Sequence, residues 1–409
     1  MGKYGVEERL SWRWWVTPKP LMEKPIHRWC VFPHSFTSEL VHGLIEEWGL
    51  GANDHLLDPF AGAGTTLLAA KEKGVPATGY DLSPHAVFAT HVKIADYNLP
   101  RLENTWGHIR KTLKPSRWNG PVRSYPELVQ KALPGKLLGA FDALDRDIKH
   151  LGKHKTDRDF FRLALISVLP YFSRAVATGG WLKWVKKREG VSSLPATLSA
   201  RVELMIGDLR RVQLPVRDFW HVAQADARRL PDKANTYSAV ITSPPYPNRH
   251  DYTRVFGVEL MFGFLDWEET RRLRYQSIHS HPEAKPERPS VNGYVPPKTL
   301  VEVLQRIRGK GTDARVPKML EGYFLDLYLC LCELKRVCRP KCKIAIVVGN
   351  AQYFGVPVLV DELTAEVGEQ SGLTCEKLVV ARYRGNSAQQ MGKYGRNPSR
   401  ESVVVFIRS

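Results

Sequence analysis

The 409-residue chain is 43% apolar and 25% charged, with a formal net charge of +18. Such a balance supports a sizeable core, and the chain has neither a run of 18 apolar residues nor a basic-then-apolar leader, which argues against membrane insertion and secretion. The positive excess speaks to partners rather than to fold, and a polyanion bound with counterion release is the partner it suggests.

In chain order, Thr37 opens an amphipathic helix over 37–48, and a strand at 55–60 leads to a helix over 65–73. A second strand at 75–81 is followed by a helix over 84–96, with Ser83 as its N-cap. Residues 100–216 contain no convincing strand and read as helices, among them 157–172 and the basic, tryptophan-bearing stretch 180–187. Strands follow at 218–224 and 237–243, then a helix over 254–265. Residues 266–318 are polar and rich in proline and arginine, and read as a long irregular insertion. The remainder is a helix over 320–337, a strand at 342–349, a helix over 358–370, and strands at 373–383 and 402–408.

Seven strands alternating with helices predict an α/β fold with a mostly parallel, seven-stranded sheet covered on both faces. The chain divides into a first sheet half (1–99), a helical insertion (100–216), a central part (217–265), a basic insertion (266–318) and a carboxyl-terminal part of the sheet (319–409). Both insertions interleave basic and aromatic residues, as phosphate pairing and base stacking require. Cys30, Cys330, Cys332, Cys338, Cys342 and Cys375 form no CxxC pair, so reduced thiols in a cytoplasmic protein, without a metal site, are expected.

Two motifs carry the chemistry. Leu56-Leu57-Asp58-Pro59-Phe60-Ala61-Gly62-Ala63-Gly64-Thr65-Thr66 places a glycine turn between a strand and a helix, where backbone approaches a ligand closely. Asp81, at the tip of the next strand, is spaced to hold ribose hydroxyls. Leu67 stands where a dinucleotide fingerprint has its third glycine, and no lysine completes a phosphate loop, which favours an adenosine ligand without pyrophosphate. The second motif is Thr242-Ser243-Pro244-Pro245-Tyr246. Its two prolines force the chain out of the sheet in a rigid shape, presenting a hydroxyl, carbonyls and a ring at the strand's carboxyl end.

Together, DPFAGAGTT at 58–66 and TSPPY at 242–246 resemble the amino-directed S-adenosylmethionine-dependent DNA methyltransferases, a Rossmann-like class I fold. Pro25-Ile26-His27-Arg28-Trp29, Phe32-Pro33-His34-Ser35-Phe36 and Gln224-Ala225-Asp226-Ala227 are also similar to segments of that family. The resemblance implies S-adenosylmethionine as cofactor, held by His34, Ser35, Asp58, Phe60, Gly62, Gly64 and Thr65. Asp81 would bind the ribose and Asp226 the adenine amino group. Ser243, Pro244, Pro245 and Tyr246 would hold the target base, with Arg249, Tyr252 and Arg254 at the DNA-facing rim.

The implied partner is double-stranded DNA, with a cognate restriction endonuclease as counterpart. In relatives a first-position serine goes with cytosine N4, and Asp or Asn with adenine N6; a serine can also donate to cytosine N3. Cytosine N4 is therefore expected. Adenine N6, an RNA guanine-N2 methyltransferase and a non-catalytic nucleic-acid-binding protein of this fold remain open readings.

Overall fold

In the computed structural model, residues 4–409 are described except 115, 117, 119, 187, 311–312, 386–394 and 396–397. Lys187, the last residue of the basic stretch noted above, therefore lies outside the described residues. The strands are β1 (Val6–Glu8), β2 (Leu56–Asp58), β3 (Ala77–Asp81), β4 (Ala175–Thr178), β5 (Trp181–Trp184), β6 (Trp220–Gln224), β7 (Tyr237–Thr242), β8 (Cys338–Gly349), β9 (Ala351–Tyr353), β10 (Val356–Val358), β11 (Thr374–Arg384) and β12 (Ser399–Ile407). Eight of them form one sheet in the order β1-β11-β12-β8-β7-β2-β3-β6. β12 runs antiparallel to both its neighbours, and every other pairing is parallel.

The expected α/β class with a mostly parallel sheet is what the chain adopts, with one strand more than the seven anticipated. The extra strand, β1, is a three-residue edge piece with Val6 half exposed, too short and too polar to signal itself.

Side-chain alternation explains why both faces are covered. Leu56, Ala239, Ile241, Ala345, Val347, Val403 and Val405 enter one core, together with the helices Ser38–Trp48, Thr65–Glu72 and Pro84–Ile94. Their neighbours Leu57, Val240, Ile344, Ile346, Val404 and Phe406 enter the other, with the helices Arg315–Val337 and Val360–Gln370. Period-two alternation with both halves apolar is the pattern of a fully buried sheet.

Three local expectations are corrected. Within 100–216, the described part of the stretch 180–187, residues 180–186, is not helical: β4 and β5 form an antiparallel hairpin closed by Gly179-Gly180. A two-residue Gly-Gly turn, with Gly179 at φ +59°, fits the twist of a hairpin. The segment 266–318 is less irregular than expected. It contains the helices Trp267–Gln276, which starts with a reciprocal Asp266–Glu269 capping box, and Lys298–Lys310. The helix expected over 254–265 is two pieces, Tyr252–Val255 and Gly257–Gly263, divided at Phe256, whose ring stacks on Phe32 at 4.2 Å.

The remaining helices of 100–216, including Lys155–Phe172 and Leu194–Arg211, contribute their apolar residues to the first core rather than standing apart. No helix among the described residues is long and apolar enough to cross a membrane.

Candidate active site

The chain leaves the centre of the sheet outward in both directions, from β2 through β3 to β6 and from β7 to β8. The carboxyl ends of β2 and β7 therefore flank the topological switch point, where open α/β sheets bind ligands. Both sequence motifs start there. β7 ends at Thr242 because Pro244 and Pro245 supply no N–H for the parallel ladder.

A buried carboxylate joins the two loops. Asp58, 2% exposed, accepts from Thr242 Oγ1 at 2.6 Å, from Thr66 Oγ1 at 2.6 Å and from the Phe60 N–H at 3.1 Å. Burial pushes its carboxyl up to about 6, and these three donors oppose the shift.

The glycine turn beyond it is sterically forced. Gly62 and Gly64 have φ of +52° and +78°, and a Cβ on Gly64 would sit 2.7 Å from Thr90. Thr90 Oγ1 donates to the Gly62 carbonyl at 3.0 Å, and the buried Lys93 ammonium donates to the Ala63 carbonyl at 2.8 Å. Asp81 closes the turn from β3, accepting from the N–H groups of Gly62 at 2.9 Å and Ser83 at 2.8 Å. Its carboxyl is raised by burial and pulled back by those bonds.

Between these loops lies an open cavity of about 1140 Å³, solvent at its mouth included. Its wall includes His34, Ser35, Asp58, Phe60, Gly62, Thr65, Asp81, Asp226, Ser243, Pro245 and Tyr252, so most of the residues singled out in the sequence meet in one place. Pro25–Trp29 does not reach the wall. It is an anchor instead: buried Asp208 accepts from the Ile26 N–H, Arg28 Nε and Trp29 Nε1, each at 3.0 Å, which fixes the run leading into Phe32–Phe36. Ser35 Oγ lies 3.3 Å from Thr65 Oγ1.

Other expected residues stand differently. Pro244 and Tyr246 are not part of the wall. The Tyr246 ring is 4% exposed and packs where Gly349 has no side chain, since a Cβ there would be 3.0 Å from it. Ser243 Oγ donates to the Val347 carbonyl at 3.1 Å, so its single proton is already committed. Asp226 reaches the wall, yet Arg228 grips both its oxygens, with Nε at 2.9 Å and Nη2 at 2.7 Å.

The rim arginines are paired. Arg249 bonds Asp313, while Arg254 bonds Glu283 and Asp251 and lies 4.6 Å from the Trp181 ring centroid. The Tyr252 hydroxyl donates to the Pro33 carbonyl at 3.4 Å, its ring lies 4.7 Å from that of His250, and burial raises its phenol.

Two contributions escaped the sequence reading. Ser277, Ile278, Ser280 and His281, from the supposedly irregular insertion, complete the wall. The β4–β5 hairpin tip also seats beside the turn that follows Tyr246, where a Cβ on Gly180 would be 2.8 Å from the Arg249 carbonyl. The glycine pair was a legible signal for the second, and nothing local announced the first.

The wall's charge is opposite to that of the molecule. It contains Asp58, Asp81 and Asp226 and, among the described residues, no lysine or arginine, although the chain carries +18 overall. A cationic ligand is favoured there and a pyrophosphate is not. Phe32, Phe60 and Phe256 provide apolar wall for a heterocycle. Adenosine joined to a sulfonium fits this combination.

Comparison with known proteins agrees. The family model described as DNA methylase, of the N6/N4 methyltransferase type, matches residues 6–91. The Type II methyltransferase M.BsoBI of Geobacillus stearothermophilus is 30% identical over 93% of this chain and 85% of its own length. The Type II methyltransferase M.AvaI of Nostoc sp. is 26% identical over 94% of this chain and 86% of its own. Among solved structures, a geranyl diphosphate methyltransferase in complex with GPP and sinefungin aligns with 100% of this chain at 9% identity and a TM-score of 0.33. On its identity to M.BsoBI over most of both chains, with the family model and M.AvaI pointing the same way, the chain belongs to the S-adenosylmethionine-dependent amino-methyltransferases of DNA, the N4/N6 family.

Proposed function

We propose that the chain methylates the exocyclic N4 amine of cytosine in duplex DNA. The observation that carries the methyl-transfer part of this reading is the Thr242–Asp58 bond, which holds the Ser243 loop and the Gly62–Gly64 turn open onto one cavity. The bound cofactor supplies a methyl carbon made electrophilic by its sulfonium sulfur. Asp81 receives the ribose hydroxyls on lone pairs not used by Gly62 and Ser83. Asp226 takes the adenine amino group on the capacity Arg228 leaves, the guanidinium holding the carboxylate in orientation.

An aryl amine is a weak nucleophile because its lone pair is delocalised into the ring. With its own proton given to Val347, Ser243 Oγ is an acceptor toward the cavity. Together with the Pro244 carbonyl, once a shift of the loop brings it to the cavity wall, it takes the amine's two N–H bonds and favours a pyramidal nitrogen. Acceptors fixed in advance stabilise the cationic amine forming in the transition state, alignment of the reactants supplies much of the rest, and the methylated amine then sheds its extra proton to solvent. Donation from Ser243 to cytosine N3 would require breaking the Val347 bond, so the preference for cytosine rests on the serine's identity alone.

The base reaches this pocket only by leaving the stack. Tyr246 becomes its platform after a shift of the turn that follows it, and Arg249 and Arg254 exchange their acidic partners for phosphates. A restriction endonuclease of the same specificity is the counterpart this reading implies.

Modification-sensitive sequencing of DNA from a host expressing the chain tests the proposal. N4-methylcytosine in one short recurring context is expected. N6-methyladenine in such a context would overturn the choice of base, and unmodified DNA the activity.

A further inference from the structure

Among the described residues, the cavity wall contains a buried side chain with no hydrogen-bond partner on either of its polar atoms. His281, from the insertion, is 3% exposed, and neither ring nitrogen has a hydrogen-bond partner. A buried imidazole without a partner is costly, and a native structure that keeps one generally has a use for it.

Its position is held from both sides. Just upstream, Asp326 Oδ2 accepts from the His279 N–H at 2.9 Å and lies 2.7 Å from His279 Nδ1. The Ser280 carbonyl accepts from the Arg249 N–H at 2.9 Å, and the Ala284 N–H returns to the His281 carbonyl at 3.3 Å. Residues 276–281 thus cross the cavity. At one end the Gln276 carbonyl accepts from Arg228, the residue that grips Asp226, at 2.6 Å. At the other end Ser280 is bonded to the turn that follows Tyr246. His281 belongs to this second end, beside the catalytic loop and away from Asp226.

We propose that His281 hydrogen-bonds the ring edge of the flipped target base, as a specificity-determining residue supplied by the insertion. The proposal rests on the methyltransferase reading above. Burial holds the imidazole below its ordinary range, against the pull of Asp251 and Glu283 and with the help of Arg274 and Arg254. At neutral pH it is therefore uncharged, with one N–H and one bare nitrogen. A base edge combines donors and acceptors, and the nitrogen that faces the cavity meets one of them, as donor or acceptor according to tautomer, without placing a second cation near the sulfonium.

The test uses the full chain and the recognition duplex identified by sequencing, in two forms: one with the target base, and one with an abasic site in its place. Binding of His281→Ala is compared with that of the parent protein, together with affinity for S-adenosylmethionine alone. A loss of about tenfold on the intact duplex is expected, with equal affinity for the abasic duplex and unchanged cofactor affinity. His281→Asn, which keeps a donor and an acceptor, should restore part of the loss and guards against a folding defect. Equal losses on both duplexes, no loss on either, or a loss confined to the cofactor would overturn the assignment. Failure of the parent protein to methylate any duplex would instead remove the reading on which it rests.

Discussion

Thr242→Val removes the hydroxyl that joins the two loops and leaves the side chain's size nearly unchanged. Asp58 then loses one of its two 2.6 Å hydroxyl donors while staying buried. A hydrogen bond to a charged group contributes about 1.5–3 kcal/mol and a neutral one about 1 kcal/mol. The cost therefore depends on whether Asp58 is ionised.

Its carboxyl stands at about 6, against an ordinary value of 3.8. A group raised in the folded state contributes stability that is complete below its ordinary value and lost as pH rises through the folded one. With about 1.4 kcal/mol per unit, ionising Asp58 inside the fold removes about 3 kcal/mol. Thr242→Val pushes the carboxyl higher still. The variant should be less stable than the parent by about 2 kcal/mol at pH 8 and by about 1 kcal/mol at pH 5, where Asp58 is already protonated in both. Urea unfolding followed by tryptophan fluorescence, without cofactor, reads the difference. A loss under about 0.5 kcal/mol at pH 8, or an equal loss at both pH values, would refute the tether.

Three further outcomes follow from the same geometry. Gly79→Ala would place a Cβ 2.6 Å from Leu67 Cδ1 and 3.0 Å from Ala61 Cβ, so the glycine turn must move. Affinity for S-adenosylmethionine by calorimetry should fall by about tenfold, in line with overpacking costs of about 1–3 kcal/mol, and a change within twofold would count against it. Burial pushes Glu259 up to about 7, so its stability contribution is lost as pH rises through 7. Glu259→Gln should raise the melting temperature by about 2–4 °C at pH 8.5 and by less than half as much at pH 5.5, one unit above the ordinary value of 4.5, whereas an equal shift at both would contradict the assignment. Trp181, 59% exposed on the hairpin that seats against Arg249, would stack on DNA if the proposed function holds. Trp181→Ala should weaken duplex binding in fluorescence anisotropy by about fivefold or more without altering cofactor affinity, and unchanged duplex binding would remove the hairpin from the interface.

The site was legible where function constrains the backbone locally. Gly62 and Gly64 are required by positive φ, Pro244 and Pro245 end a strand, and Asp81 follows from its spacing to the turn. Residues acting through distant partners were not legible. The Asp58–Thr242 bond spans 184 positions, and the Asp208 anchor of the amino-terminal segment spans about as many. Sequence pattern identifies each participant as an acid or a hydroxyl but says nothing of the pairing.

The insertion 266–318 was misread because polarity was taken for irregularity, although Asp266 and Glu269 already spelled a capping box. The orientation of Tyr246 was hidden for another reason. It depends on the space Gly349 leaves at the end of β8, the strand beside β7 in the sheet but about a hundred positions away in the chain.

The central claim, methyl transfer to cytosine N4 by the Ser243 loop, is tested most directly by nucleoside mass spectrometry. DNA treated with the purified chain and S-adenosylmethionine is digested and compared with DNA treated with Ser243→Ala. The account predicts N4-methylcytosine with the parent protein and a loss of about a hundredfold or more in the variant, as removal of a transition-state contact implies. N6-methyladenine, no methylated base, or a Ser243→Ala variant of undiminished rate would contradict it.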